Sequence, residues 1–278
     1  MPVDDPLLND ALDALAVTKV RDLRSGAQKT VCLVDRGGEE LVMKVVAVGS
    51  SAPDALRRAQ REVELLQKID DPFIVKVASD LIELGEPVQG AAWLEEFLEG
   101  EDLKDLVGSP WSAADAVAMA VDVARGLAAL HAANVVHRDL SVNNVRRLGE
   151  GRYVVMDPGF ARHTLLSDIT IGGQPGTPGF LSPEHLLAYS GIPTPASDVF
   201  CVGILMFLAL TGQLPIPYTG DPSDYISRLS RVETLELEVL RPDLPTELSE
   251  LISRCMHPQP ARRFRNGQRL ADALQALT

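Results

Sequence analysis

Three side chains that could bind a cation, Asp139, Asn144 and Asp157, follow short apolar segments at 135–136 and 154–156. Each apolar segment is typical of a strand, and each polar residue stands where a loop begins, so we expect its side chain to face solvent or a ligand. Carboxylate and amide oxygens are ligands that Mg²⁺ prefers, and such sites commonly add the phosphates of a substrate. Taken singly, any of these residues could equally be a solvated turn residue. Together they predict a metal and phosphate site.

The charge of the chain limits what else it could bind. The 278 residues carry a formal net charge of −13, which disfavours general binding to nucleic acids or anionic membranes because phosphate contacts need clustered Lys and Arg. Any phosphate must therefore meet a local positive group. A solvated lysine is not expected at Lys44, because its neighbours Val42, Val45 and Val46 are apolar.

The elements that must position these side chains differ between the two halves of the chain. The first half is predicted to be mostly sheet with one charged amphipathic helix, and residues 6–15 are predicted to form either a short amphipathic helix or a mobile leader. Its expected strands are 31–34, 41–46, 73–77, 81–84 and 91–94, with a hairpin turn at Arg36-Gly-Gly-Glu and a helix at 55–68. The second half is predicted to be mostly helical, with helices at 112–133, 184–190, 198–211, 246–255 and from Gly267, strands at 135–136 and 153–156, and a long loop at 158–180.

The cysteines and the apolar stretches indicate the compartment. Cys32, Cys201 and Cys255 are widely spaced in apolar contexts and are predicted to be buried free thiols, which fits a reducing compartment. The first ten residues lack the basic start and apolar run of a signal peptide. The longest apolar stretch, 199–210, is too short to span a bilayer and predicts a buried helix. We expect a cytoplasmic protein with no membrane span.

Seven short motifs occur in a fixed order between about residues 20 and 275. They are Lys44 in Val42-Met43-Lys44, Glu62 in Arg61-Glu62-Val63, His137-Arg138-Asp139-Leu140-Ser141-Val142-Asn143-Asn144, Asp157-Pro158-Gly159, Ser182-Pro183-Glu184, Asp198–Gly203 and Cys255–Phe264. In order and spacing they resemble the motifs of eukaryotic-type (Hanks-type) protein kinases. The compact size, the Ala- and Leu-rich composition and the string Gly-Thr-Pro-x-Phe-x-Ser-Pro-Glu at 176–184 resemble the bacterial Ser/Thr kinase domains of this family.

The resemblance implies an α+β, bilobal protein-kinase fold. Residues 1–98 would form a small N-terminal lobe of antiparallel sheet plus one helix, preceded by a short leader at 1–16. Residues 99–278 would form a larger, mostly helical C-terminal lobe with the catalytic loop and the activation segment. The implied activity is transfer of the γ-phosphate of ATP to Ser or Thr hydroxyls of proteins, including autophosphorylation in the activation segment. Protein substrates and a regulatory protein partner are the implied partners.

The resemblance also assigns catalytic roles. Asp139 would orient the substrate hydroxyl or accept its proton, and Asn144 and Asp157 would hold Mg²⁺ or Mn²⁺ against the nucleotide phosphates. Lys44 would bind the α- and β-phosphates, positioned by an ion pair with Glu62. The implied nucleotide-binding residues are Gly26, Val31, Val42, Lys44 and the hinge residues Glu96 and Leu98.

Further implied roles concern regulation and support. Arg138 would bind a phosphate on the activation segment, and a buried ion pair between Glu184 and Arg263 would tie that segment to the helical lobe. Asp198 would be a buried carboxylate. The candidate phosphorylation sites, which could also be plain polar loop residues, are Thr164, Ser167 and Thr170.

The sequence departs from the family pattern at five places. Only Gly26 remains of the glycine-rich loop, Ser141 replaces the catalytic-loop lysine, and Pro158 replaces the Phe of D-F-G. Glu95 stands at the gatekeeper position and Arg146 at the floor of the adenine pocket, where apolar residues are usual. One hypothesis is that Glu95 and Arg146 face each other, and another is that Arg146 stacks on adenine.

Three functions remain open from the sequence alone. An active protein kinase is favoured by the presence of Lys44, Glu62, Asp139, Asn144 and Asp157. A pseudokinase, acting as a scaffold or allosteric binding module, is favoured by the departures from the family pattern. A small-molecule kinase of related fold is disfavoured because such enzymes lack the A-P-E segment and its arginine partner.

Overall fold

The computed structural model describes residues 5–25, 29–48, 55–158, 179–186 and 193–277. The chain divides into two compact units. The N-terminal unit comprises Met1–Asp70 and Val75–Leu98, and the C-terminal unit comprises Asp71–Ile74 and Glu99–Thr278. Within the part of the chain that is described, no helix is both long and apolar enough to cross a membrane.

The N-terminal unit is built on a five-stranded antiparallel sheet in the order β1-β2-β3-β5-β4. Its strands are β1 (Thr18–Ser25), β2 (Lys29–Arg36), β3 (Glu39–Ala47), β4 (Ile82–Leu84) and β5 (Gly90–Glu96). Gly37 and Gly38 join β2 to β3 with φ angles of 66° and 95°, a backbone region that glycine enters without strain. This turn confirms the predicted hairpin.

Two helices accompany this sheet, α1 (Pro6–Ala14) and α2 (Ala55–Leu66). The side chain of Asp5 accepts a hydrogen bond from the backbone N–H of Leu7 at 3.1 Å and so caps the start of α1. Leu7 and Leu12 pack against the core of the sheet. Residues 6–14 are therefore a docked helix, which confirms the helix alternative for this segment.

The C-terminal unit is mostly helical and holds a three-stranded antiparallel sheet in the order β6-β7-β8. Its strands are β6 (Gly100–Asp102), β7 (Val145–Leu148) and β8 (Tyr153–Val155). Its helices are α3 (Leu103–Leu106), α4 (Ala113–Ala132), α5 (Pro195–Thr211), α6 (Pro222–Arg231), α7 (Leu237–Leu240), α8 (Thr246–Cys255) and α9 (Gly267–Gln275).

Helices α4 and α5 form the centre of this unit. Ser112 caps α4, because its hydroxyl accepts a hydrogen bond from the backbone N–H of Asp115 at 3.1 Å. Almost every residue of α5 is buried, as its apolar sequence predicts. Two glycines allow close backbone contacts with α4: a Cβ on Gly126 would lie 2.6 Å from the Phe73 carbonyl oxygen, and one on Gly267 would lie 2.5 Å from the Ala124 carbonyl oxygen.

Some predicted elements are wrong. Residues 73–77 make only isolated bridges, Ile74 with Val155 and Val77 with Glu95, and residues 135–136 lie in no strand. A short apolar run shows that a segment is buried but not that it has a strand partner. The helix expected at 184–190 is a 3₁₀ turn at Pro183–His185, and residues 187–190 lie outside the described part.

The three cysteines are buried and free, which confirms the prediction of unpaired core thiols. Burial raises the pKa of the Cys32 thiol to about 11 and that of Cys255 to about 12. These thiols therefore stay protonated at neutral pH.

Candidate active site

The loop before Asp139 is held by the buried carboxylate of Asp198. That carboxylate accepts hydrogen bonds from the backbone N–H groups of His137 at 2.8 Å and Arg138 at 2.9 Å. Nδ1 of His131 accepts a backbone hydrogen bond, so its Nε2 carries the proton and donates to Asp198 at 2.9 Å. Burial raises the pKa of Asp198, but these donors outweigh burial and keep the pKa below its usual value. The carboxylate therefore stays charged and fixes the loop, as the sequence predicted for a buried aspartate.

Two histidines fix the same loop from other sides. Nε2 of His137 donates to the carbonyl of Met156 at 3.0 Å, since its Nδ1 accepts a backbone N–H. His185 follows the motif Ser182-Pro183-Glu184. Its Nδ1 accepts a hydrogen bond from the backbone N–H of Ser182, and its Nε2 donates one to the carbonyl oxygen of Arg138 at 3.1 Å. Burial lowers the pKa of His185, which keeps the ring neutral as these two bonds require. The turn at 183–185 thus supports the loop that carries Asp139 directly.

Asp139, Asn144 and Asp157, which the sequence singled out, lie close together in this unit. Nδ2 of Asn144 donates to the carbonyl oxygen of Asp139 at 2.8 Å and to its Oδ2 at 3.3 Å. The carbonyl of Asn144 accepts the backbone N–H of Met156 at 2.9 Å, at the end where β7 and β8 pair. Asp157 is the next residue, and its φ of 50° turns the chain out of the strand direction. The β7–β8 pair therefore brings the two predicted metal ligands to one end of one hairpin.

The donor atoms at this end suit a hard cation. Because Nδ2 of Asn144 donates to Asp139, the amide oxygen is the atom that remains to bind a metal. With the carboxylate of Asp157 it forms an oxygen-only pair, which fits Mg²⁺ or Mn²⁺ better than a metal that prefers nitrogen or sulfur. The carboxylate of Asp139 is oriented by its bond to Asn144.

The N-terminal unit carries the predicted lysine, and Glu95 lies closer to it than the predicted partner Glu62. Lys44 on β3 is 3% exposed, and its Nζ lies 2.6 Å from both carboxylate oxygens of Glu95 on β5. The nearest oxygen of Glu62 on α2 is 3.9 Å away, beyond hydrogen-bond distance. The expected Lys44–Glu62 pair is therefore a longer-range ion pair. Neighbouring strands of one sheet bring Lys44 and Glu95 closer than the helix brings Glu62.

Trp93 links these groups. Its indole Nε1 donates to Oε1 of Glu95 at 2.9 Å, and its ring centroid lies 5.9 Å from Nζ of Lys44. The buried Ala59 and Val63 of α2 belong to the same hydrophobic cluster as Trp93. The carboxylate of Glu95 is therefore not a lone buried charge, because an ammonium and an indole both bind it.

Glu95 and Arg146 lie in different units, and their facing each other stays a prediction. Arg146 lies opposite Asp102 in the register of β6 and β7. Its guanidinium donates to Asp102 at 2.8 Å and to the carbonyl of Gly100 at 2.8 Å. Each charged side chain thus has a partner of opposite charge within its own unit. Stacking of Arg146 on adenine stays a prediction.

The predicted nucleotide-binding residues are spread over the N-terminal sheet and its end. Val31 on β2 lies opposite Lys44, and Val42 on β3 lies opposite Glu95, so the two valines flank the lysine. Glu96 ends β5, and the buried Leu98 is the last residue of the unit. Gly26, Gly159 and the candidate phosphorylation sites Thr164, Ser167 and Thr170 lie outside the described residues. The binding roles of all these residues stay predictions.

The ion pair predicted between Glu184 and Arg263 is confirmed. Nη2 and Nη1 of Arg263 donate to the two carboxylate oxygens at 2.7 and 2.9 Å, and both side chains are buried. The remaining donors of the guanidinium go to the backbone carbonyls of Ala196, His257 and Pro258. All five N–H groups of Arg263 are thus satisfied.

The comparison with known proteins agrees with this geometry. A family model described as "Protein kinase domain" matches residues 18–275. The serine/threonine-protein kinase pkn2 of Myxococcus xanthus is 31% identical over 92% of this chain and 32% of its own length. The serine/threonine-protein kinase PknA of Mycobacterium tuberculosis is 29% identical over 87% of this chain and 56% of its own length. The chain thus spans from a third to just over half of the length of these curated relatives.

The solved structures agree on the fold. The crystal structure of the Mycobacterium tuberculosis PknI kinase domain matches with a TM-score of 0.69 at 24% identity, over 94% of this chain and 96% of that one. Both units of the present structure carry the elements of a bilobal kinase, an antiparallel sheet in one and helices in the other. The chain belongs to the protein kinase family and has the Hanks-type fold of its bacterial relatives.

Proposed function

We propose that the chain is an enzyme that transfers the γ-phosphate of ATP to serine or threonine hydroxyls of proteins, with residues 1–98 and 99–278 as its two lobes. The observation that carries this proposal is the bond from Asn144 to Asp139, beside Asp157 on the same hairpin. Phosphoryl transfer needs positioning and charge stabilisation more than covalent chemistry, and these three side chains supply both.

Each residue has a distinct task in this mechanism. The carboxylate of Asp139, held by Asn144 and by the loop that Asp198 fixes, orients the attacking hydroxyl and accepts its proton. The amide oxygen of Asn144 and the carboxylate of Asp157 would hold Mg²⁺, which neutralises phosphate charge when bound. The ammonium of Lys44 would bind the α- and β-phosphates.

The relatives support the choice of Ser and Thr as acceptors, since those reported above are named serine/threonine-protein kinases. The loop anchoring by Ser182 and His185 supports an ordered catalytic loop in this chain. We infer that the substrates are proteins and that a protein partner regulates the enzyme. The alternative function, a binding module without phosphotransfer, predicts nucleotide or partner binding with no incorporation of phosphate.

Incubation of the purified chain with radiolabelled ATP and Mg²⁺ or Mn²⁺, alone and with a broad protein mixture, tests the proposal. We expect incorporation on Ser or Thr, and a loss of at least about 100-fold in the Asp139→Asn variant because the base is removed. Asp105→Asn makes the same chemical change at an exposed position and should retain the wild-type rate. Absence of incorporation under all these conditions, with nucleotide still bound, would instead establish the binding module.

A further inference from the structure

The backbone register of β3 and β5 decides which carboxylate reaches Lys44. The two strands pair antiparallel from Leu41 opposite Glu96 to Ala47 opposite Gly90. Lys44 lies opposite Trp93, and Glu95 is two residues further along the same strand, so all three side chains lie on one face of the sheet. Diagonal neighbours on one face are within reach of long side chains. The sheet itself therefore places Glu95 beside Lys44.

The side-chain contacts make this a specific arrangement. Both oxygens of Glu95 lie 2.6 Å from Nζ of Lys44, whereas Glu62 approaches no closer than 3.9 Å. The indole N–H of Trp93 fixes the orientation of the Glu95 carboxylate at 2.9 Å. Glu95 is 2% exposed and Lys44 is 3% exposed, so water does not compete for either group.

We propose that Glu95, at the gatekeeper position, is the residue that positions Lys44 for the nucleotide phosphates, with Glu62 in a secondary role. This inference rests on the proposed function. The two oxygens of Glu95 both accept from the ammonium of Lys44 and so fix the direction in which this side chain is held. Because the pair is built into the sheet, the position of Lys44 does not depend on how α2 docks. Glu95 acts through Lys44 and is a positioning residue.

The opposite role is physically conceivable and gives the opposite result. If Glu95 held Lys44 away from the phosphates, loss of the Glu95 carboxylate would let the Lys44 ammonium bind Glu62 and the nucleotide. Phosphotransfer would then rise in the Glu95→Gln variant. The direction of the change in kcat therefore decides between a positioning contact and an inhibitory one.

Kinetics of matched variants form the first experiment. Glu95→Gln should lower kcat by about 10- to 100-fold with a smaller change in KM for ATP, since one charged hydrogen bond that orients Lys44 is lost. Glu62→Gln removes the same charge from the same neighbourhood and should lower kcat less than about fivefold, because no hydrogen bond to Lys44 is lost. Glu95→Asp keeps the charge and should lie between Glu95→Gln and the wild type. A rise in kcat in Glu95→Gln, or a larger loss in Glu62→Gln, would overturn the proposal.

Chemical labelling of lysines tests the same contact without relying on catalysis. A carboxylate at hydrogen-bond distance favours the charged ammonium, and only the uncharged amine reacts with acetic anhydride. Mass spectrometry should show Lys44 acetylated about tenfold faster in Glu95→Gln than in the wild type, with a smaller increase in Glu62→Gln. The exposed Lys76 and Lys104 serve as internal references and should not change.

The two experiments separate this inference from the proposed function. If the wild type transfers no phosphate but Lys44 labelling follows the expected order, the proposed function fails while the Lys44–Glu95 contact stands. If the reference lysines also react faster in Glu95→Gln, that variant is partly unfolded. Glu95→Asp is then used instead, and Lys44 should be acetylated about threefold faster in it than in the wild type. Equal Lys44 labelling in the wild type and in a folded Glu95 variant would refute the inference.

Discussion

Replacing Arg263 with methionine should destabilise the protein strongly, because its guanidinium lies at the centre of a buried network. The side chain binds both oxygens of Glu184 and three backbone carbonyls, and its guanidinium also stacks 4.7 Å from the ring centroid of Phe200. Methionine has nearly the same length but no donor, so the Glu184 carboxylate would remain buried and charged without its partner.

The expected loss can be worked out from these contacts. Removing one partner of a buried ion pair typically costs ~3–5 kcal/mol, most of it from the charge left behind. For an unfolding unit of this size, each kcal/mol lowers the melting temperature by ~2–4 °C, so the shift should be ~6–20 °C. Arg263→Lys should recover only part of this loss, because an ammonium cannot reproduce the two-point contact with Glu184 or reach all three carbonyls.

Thermal unfolding followed by circular dichroism at pH 7 measures the shift. The neighbouring Arg262 is exposed, so Arg262→Met is a matched control and should change the melting temperature by less than ~2 °C. In the double variant Glu184→Gln with Arg263→Met, the loss should be smaller than the sum of the two single losses, because the buried charge is gone. A shift below ~3 °C in Arg263→Met, or a wild-type melting temperature in Arg263→Lys, would refute the reasoning.

Three further predictions concern acid, charge and packing. Burial raises the pKa of Glu184, but Arg263 outweighs it and holds the pKa below its usual value, as the donors do for Asp198. Both carboxylates therefore stabilise the fold fully above pH ~5, and urea titrations at decreasing pH should show this stability lost as pH falls through the lowered pKa values. Asp198→Asn places an amide where three donors bind the carboxylate of Asp198. It should lower the free energy of unfolding measured in urea by ~2–4 kcal/mol and slow phosphotransfer. Unchanged stability would contradict the anchoring role of Asp198. Gly126→Ala drives a Cβ to 2.6 Å from a carbonyl oxygen and should cost ~1–3 kcal/mol, whereas Gly108→Ala, with no atom within 4 Å, should be nearly neutral; equal losses would rule out the close contact.

Much of the catalytic unit could be predicted because its determinants are local in sequence. Asp139 and Asn144 are five residues apart in one loop, and Asp157 ends the hairpin that begins after Asn144, so a single string of residues sets the site. The long α4 and α5 were predicted because helix periodicity and caps are also local signals. The prediction of a strand at 73–77 was wrong because an apolar run indicates only that a segment is buried. Whether it pairs as a strand depends on residues far along the chain.

The sequence by itself determined the family, the order of its motifs, and the pairing of Glu184 with Arg263, which the motif pattern implied and the structure confirmed. Only the tertiary structure decided the partner of Lys44. Glu62 and Glu95 were both available in the sequence, and both are buried near the ammonium. Glu95 is closer because β3 and β5 are adjacent strands in a fixed register, so residues 51 positions apart face each other diagonally. Strand order and register are properties of the folded sheet, and the residues around Lys44 in the sequence do not predict them.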